Sequence, residues 1–113
     1  MTDAITQAKL WYWQRVSAMV MAPCVVVHLA IIVYAVRGGL TAAEILGRTQ
    51  GNWLLGAFYA LFVLACAVHV PLGLAAIAAE WLGWRGRRAE VAAALFGGLI
   101  AVMGLRAIYG LTT

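Results

Sequence analysis

The chain has 113 residues and a net charge of +4, with 65% hydrophobic and only 11% charged side chains. Soluble domains average about 45–50% apolar and about 25% charged residues, so a mean hydropathy of +0.95 excludes a water-soluble core and predicts one small integral membrane domain over residues 1–113. The basic residues form no stripe, which argues against a nucleic-acid partner and leaves them as topology signals and lipid head-group contacts.

Met1 to Leu10 is short and polar, without the basic start of a signal peptide, so no cleaved segment is expected. Trp11, Tyr12 and Trp13 then form an aromatic belt of the kind found at the membrane–water interface. The first apolar run, Val16 to Val36, is long enough for the roughly 30 Å hydrocarbon layer at about 1.5 Å per residue. Arg37, Gly38 and Gly39 stop it. Leu40 to Asn52 reads as a solvent-side loop that can carry a short surface helix through AAEIL. The second run, Trp53 to Ala79, has no charged side chain and ends at Glu80, Trp81 and Trp84. Arg85 to Glu90 is a polar connection, and Val91 to Tyr109 is the third run, in which Gly97, Gly98 and Gly104 suit close helix approach. The expected fold is all-α, with three transmembrane helices at about 14–37, 52–82 and 89–110. Lys9, Arg15, Arg85, Arg87 and Arg88 fall on one side and Arg37, Arg48 and Arg106 on the other. The positive-inside rule then puts the N-terminus in the cytoplasm and the C-terminus on the opposite side.

Two histidines, His28 and His69, lie inside the first and second runs. An ionisable group in lipid is costly and marks function by default. On the second helix, His69, Gly73, Ala76 and Glu80 share one stripe, continued by Phe58, Phe62 and Ala65. Small residues around His69 suit a flat ligand pressed on the helix. On the first helix, Ser17, Met21, Cys24 and His28 line one face, and Pro23 and Pro71 are candidate kinks that steer the two imidazoles. Counting from Glu80, His69 lies about 17 Å from the cytoplasmic edge; counting from Arg15, His28 lies about 20 Å from it. Both counts place the histidines near mid-membrane, His28 slightly deeper.

Each histidine has a bland reading, a hydrogen bond to a neighbouring helix, and a chemical one, axial ligation of haem b by neutral imidazole. Zinc wants more Cys, His or carboxylate ligands than the sequence gathers. A proton relay would want an intramembrane carboxylate. Cys24 and Cys66 sit in apolar runs as small hydrophobes, and without a CxxCH motif covalent haem attachment is not expected.

The segment Trp13 to Met21, WQRVSAMVM, resembles the opening of the first helix in membrane-anchor (cytochrome b) subunits of succinate dehydrogenase and fumarate reductase, where an HR- or QR-x-S/T-[GA] pattern lies at the cytoplasmic surface. His69 to Trp81, HVPLGLAAIAAEW, is similar to the second-helix signature of that family: histidine, glycine four residues on, an acidic residue eleven on, then an aromatic. The resemblance spans roughly Trp11 to Tyr109, although only these two motifs are specific. It implies that His69 ligates haem b iron, and that Arg15 and Ser17 lie by the haem propionates or the quinone. It also implies that Glu80 and Trp81 form the acidic–aromatic pair at the quinone end. The family often has tyrosine at the Trp81 position; indole lacks the hydroxyl, and Tyr12 is the phenol that can substitute. His28 is outside the single-haem pattern, but two-haem members carry ligands on a first helix as well. Paired chains would then supply four histidines.

The resulting expectation is a cytochrome b anchor in a bacterial cytoplasmic (inner) membrane, a non-catalytic subunit of an oxidoreductase. It would dock an iron–sulfur subunit, itself joined to a flavoprotein subunit, and pass electrons to or from quinone. A second anchor chain, identical or related, would complete the haem site. The rivals are a non-redox scaffold or assembly subunit whose histidines only pack helices, and a small transporter, which would want a charged group at a midplane cavity.

Overall fold

The computed structural model describes residues 3–113 as four helices: α1 (Ala4–Gly38), α2 (Ala42–Thr49), α3 (Trp53–Trp81) and α4 (Arg87–Thr112). Among the described residues there is no strand, and α1, α3 and α4 are long and apolar enough to cross a membrane. The reading of Met1 and Thr2 as part of an uncleaved start lies outside the described residues.

α1 begins ten residues before the expected position 14. Asp3 caps it by accepting a hydrogen bond from the Thr6 amide at 2.7 Å. Ala, Gln, Lys and Leu in the next turns are good helix formers, so nothing interrupts the helix on its way to the apolar run. At 35 residues, α1 is about 52 Å long, well beyond the roughly 30 Å apolar layer. Its first turns therefore project past the hydrocarbon, and the aromatic belt lies on the helix itself.

The turn into α2 depends on Gly39, whose φ is +109°. The Glu44 carboxylate occupies the space that a Cβ would need there, and Arg48 donates to the Gly39 carbonyl. Thr41 caps α2, accepting from the Glu44 amide at 3.2 Å while its hydroxyl donates to the Glu44 carboxylate at 2.7 Å. At the far side of α2, the Gly51 amide donates to the Thr112 carbonyl at 2.8 Å. This contact puts the C-terminus at the α2 end of the bundle, opposite Asp3.

α3 is central, packed on α4 and on α1, while α1 and α4 scarcely touch. Both prolines lie inside unbroken helices. Pro71 removes the amide that would bond the Ala67 carbonyl. Gly97 of α4 packs on that spot: a Cβ there would overlap the Pro71 ring and stand 3.1 Å from the Ala67 oxygen. Gly104 meets Val63 in the same way, whereas Gly98 faces open space. Only two of the three glycines expected to aid helix approach do so.

The buried side chains are small: Ser17, Cys24, Ala65, Ala89 and Ala93. Among the described residues no large side chain is fully buried, and Leu, Val, Ile and Trp side chains cover the outside. This is a helix bundle whose apolar surface faces outward, as lipid or partner helices require.

Candidate functional site

The α1–α3 crossing gathers the polar groups of the apolar spans. Ser17 is 5% exposed. Its hydroxyl donates to the Gln14 carbonyl at 3.0 Å, and its Oγ lies 3.4 Å from His69 Nδ1. His69 itself is half-buried. Gly73, one turn on, leaves room for the Gln14 side chain, whose Nε2 would stand 3.3 Å from a Cβ there. The other Gln14 amide atom, Oε1, is buried without a hydrogen-bond partner.

The small-residue stripe on α3 is real, and α1 packs on part of it. Phe62 packs edge-on against His28 at 5.4 Å, Ala65 is buried, His69 meets Ser17, and Gly73 meets Gln14. The face of α3 expected to take a flat ligand therefore also carries the crossing with α1. Ala65 and Gly73 serve the helix crossing, while Ala76 and Glu80 of the same stripe are exposed.

The depths also change. Ser17 is level with His69, so Arg15 and Glu80 do not mark the same plane. His69 is level with a point two residues beyond Arg15, while Glu80 lies eleven residues farther along α3. The extension of α1 to Ala4 makes room for that offset. His28 is instead level with Tyr59, ten residues from His69 along α3, which is about 15 Å at 1.5 Å per residue. The two imidazoles belong to separate layers of the bundle.

His28 Nδ1 and the Tyr59 hydroxyl are 2.9 Å apart, with the rings edge to face at 5.6 Å. This pair borders a cavity of about 560 Å³ beneath α2, walled chiefly by apolar side chains and rimmed by Arg48, Asn52 and Thr112. Nothing in the sequence connected Tyr59 to His28, because the register of two helices is invisible to the spacing within either.

The remaining expected site residues are exposed. Arg15 lies over its neighbour Trp11, Cζ 5.1 Å from the ring centroid, a cation–π contact one helical turn back. Tyr12 packs edge-on against Trp13 at 5.7 Å. Glu80 is exposed, and Trp81 is 81% exposed. Arg15, Tyr12, Glu80 and Trp81 all lie on the half of the bundle away from α2, Glu80 and Trp81 well beyond the level of Arg15, and of the expected pocket residues Ser17 is the one within hydrogen-bond distance of His69. Gln14 was passed over although it stands beside Arg15 in the quoted motif; its neutral amide carried no charge to attract notice.

Among the described residues no three His, Cys, Asp or Glu side chains gather as a metal cage. A single imidazole in an apolar span fits one axial position of a macrocycle-held iron, which needs only one or two protein ligands.

A family model described as the succinate dehydrogenase/fumarate reductase transmembrane subunit matches residues 3–105. No curated protein and no solved structure matches the chain.

Proposed function

The chain belongs to the succinate dehydrogenase/fumarate reductase transmembrane subunit family, and from that premise we propose that it is the haem b-binding membrane anchor of such a complex. The observation that carries the reading is His69: a half-buried imidazole inside an uncharged span, with a hydroxyl 3.4 Å from its Nδ1. His69 would supply one axial ligand, and a second anchor chain, another copy or a relative, would supply the other. When bound, the haem supplies one-electron chemistry between the iron–sulfur subunit and quinone. The chain's own contribution is to hold the imidazole, exclude water and shape the polar end of the bundle.

That end carries Arg15, Tyr12, Glu80 and Trp81, all free to meet a partner or quinone. In this proposal it faces the cytoplasm of a bacterial cell, with the N-terminus inside, and docks the iron–sulfur subunit that joins the flavoprotein. Arg15 supplies charge-assisted hydrogen bonds to a quinone oxygen or a propionate. The flavin chemistry belongs to another polypeptide, so this chain alone catalyses nothing.

The decisive test is a reduced-minus-oxidised spectrum of the purified complex. Haem b bands that vanish in His69→Ala support the proposal; a stable, colourless complex overturns it. The second reading, a scaffold whose histidines only pack, draws support from the His28–Tyr59 hydrogen bond. The haem count separates the roles of the two histidines. One haem for each pair of anchor chains leaves His28 to its tyrosine, whereas two assign iron to both layers.

A further inference from the structure

We infer that Ser17 is a positioning residue for His69, setting the imidazole tautomer so that Nε2 carries the free lone pair. The inference deepens the haem reading and rests on it for its consequence, though not for its geometry. A serine hydroxyl has one proton and two lone pairs. In this chain the proton is given to the Gln14 carbonyl, 3.0 Å away on the preceding turn of α1. What Oγ then presents to His69 is a lone pair. The 3.4 Å contact is with Nδ1, and while Ser17 donates to Gln14 that contact is a hydrogen bond only with the hydrogen on Nδ1. In a neutral imidazole the other nitrogen, Nε2, is then unprotonated and is the one able to bind a metal.

Burial favours this assignment. Ser17 is 5% exposed, so water does not offer its hydroxyl an alternative partner. The carbonyl of Gln14 is fixed by the helix, and Ser17 and His69 are held level by the crossing of α1 and α3. The chain of donors thus runs from His69 Nδ1–H to Ser17 Oγ, and from the Ser17 hydroxyl to the Gln14 carbonyl. A metal-bound histidine generally donates its second N–H in this way, which fixes the ring and strengthens the donor nitrogen.

His28 provides the contrast within the same chain. Its partner, the Tyr59 hydroxyl, has no second hydrogen-bond acceptor among the described residues, so its proton is available to His28 Nδ1. A phenol is the better acid and an imidazole the better base, so the tyrosine donates. That leaves the hydrogen on Nε2 of His28, the tautomer that cannot bind iron without a proton shift. Two histidines of similar surroundings are thereby set in opposite tautomers by a serine and a tyrosine.

Two measurements test the role of Ser17. The first needs no haem: nitrogen-15 magnetic resonance of the imidazoles in the full chain, reconstituted in phospholipid bilayers. His69 is expected as the Nδ1–H tautomer, shifting to a mixture in Ser17→Ala; a protonated Nε2 in the parent chain overturns the inference. The second uses the purified complex. Ser17→Ala is expected to retain haem about 10–100-fold less tightly and at a more positive midpoint potential, because the proximal nitrogen loses donor strength. Ser17→Thr, which keeps the hydroxyl, should restore both. Unchanged affinity and potential in Ser17→Ala would overturn the positioning role while leaving His69 as a ligand. Absence of haem from the parent complex would instead sink the haem reading, and the tautomer measurement would still decide the geometry.

Discussion

A hydroxyl and a phenol, rather than any charge, surround the two deep imidazoles. That choice has a physical basis: a carboxylate at those depths would carry a large desolvation cost, whereas a neutral hydroxyl satisfies the imidazole at little cost. The Ser17 hydroxyl is also matched to its helix, since back-bonding to the Gln14 carbonyl removes the need for water. Removing one member of the second pair tests its weight. Tyr59→Phe deletes one hydrogen bond and leaves His28 Nδ1 without its partner, so it should destabilise the folded chain by about 1–3 kcal/mol. Unfolding in detergent should show this, with the haem b signal assigned to His69 unchanged. At Gln14 the buried Oε1 has no partner, and exchange for an apolar residue of similar size should be close to neutral for stability. A large loss of stability there would mean that the amide is satisfied by a neighbouring subunit.

Helix α3 organises the other elements, because its two faces serve different packing chemistry. Toward α4 it presents Pro71 and Val63, and α4 answers with Gly97 and Gly104. The adjacent glycines of α4 should therefore respond in opposite ways. Gly97→Val would drive a side chain into the Pro71 ring and cost about 1–3 kcal/mol by overpacking. Gly98→Ala meets nothing and should stabilise by about 0.5–1 kcal/mol, since glycine is the poorer helix residue. Thermal unfolding of the two variants side by side checks the pair. The start of α1 is a separate matter of capping. The Thr6 amide, followed by the Thr6 side chain, holds the Asp3 carboxyl below its ordinary value of 3.8. A depressed carboxyl stabilises the folded turn fully above that value and loses the contribution as pH falls through the lower, folded-state value. Hydrogen exchange at the Thr6 amide should accelerate relative to later amides of α1 as the solution is acidified. In Asp3→Asn, which still caps but does not titrate in this range, the acceleration should disappear.

As a whole the molecule is a rod, 50 Å long and 23 Å across in each other direction, with its large apolar side chains outward. Such a surface requires lipid or other helices, and the gap between α1 and α4 leaves both sides of α3 only partly covered. The haem proposal makes one demand at this scale: one chain offers one imidazole at the His69 layer, so a bis-histidine haem needs two chains. Cross-linking or native mass analysis of haem-loaded material should find at least two anchor chains, and a haem-bearing complex with one anchor chain would contradict it. At the α2 end the Gly51–Thr112 hydrogen bond and the Arg48–Gly39 contact tie the helix ends together beside the cavity, while the opposite end leaves Arg15, Tyr12, Glu80 and Trp81 exposed.

Apolar length and charge spacing were enough, by themselves, to determine three long apolar helices and the polar breaks between them, because a bilayer-crossing helix satisfies its own backbone and announces itself as an uncharged run; the family was legible only in the two motifs, WQRVSAMVM and HVPLGLAAIAAEW. The stripe Ser17–Met21–Cys24–His28 was legible too, since helical periodicity is local. The level at which one helix meets the next was not. It brought Ser17 to His69 and Tyr59 to His28, set the two imidazoles in different layers, and laid α1 against Gly73 of α3. Register between helices is fixed by side chains interlocking across a crossing, a property of pairs of surfaces distant in the chain, and only the packed structure holds that information.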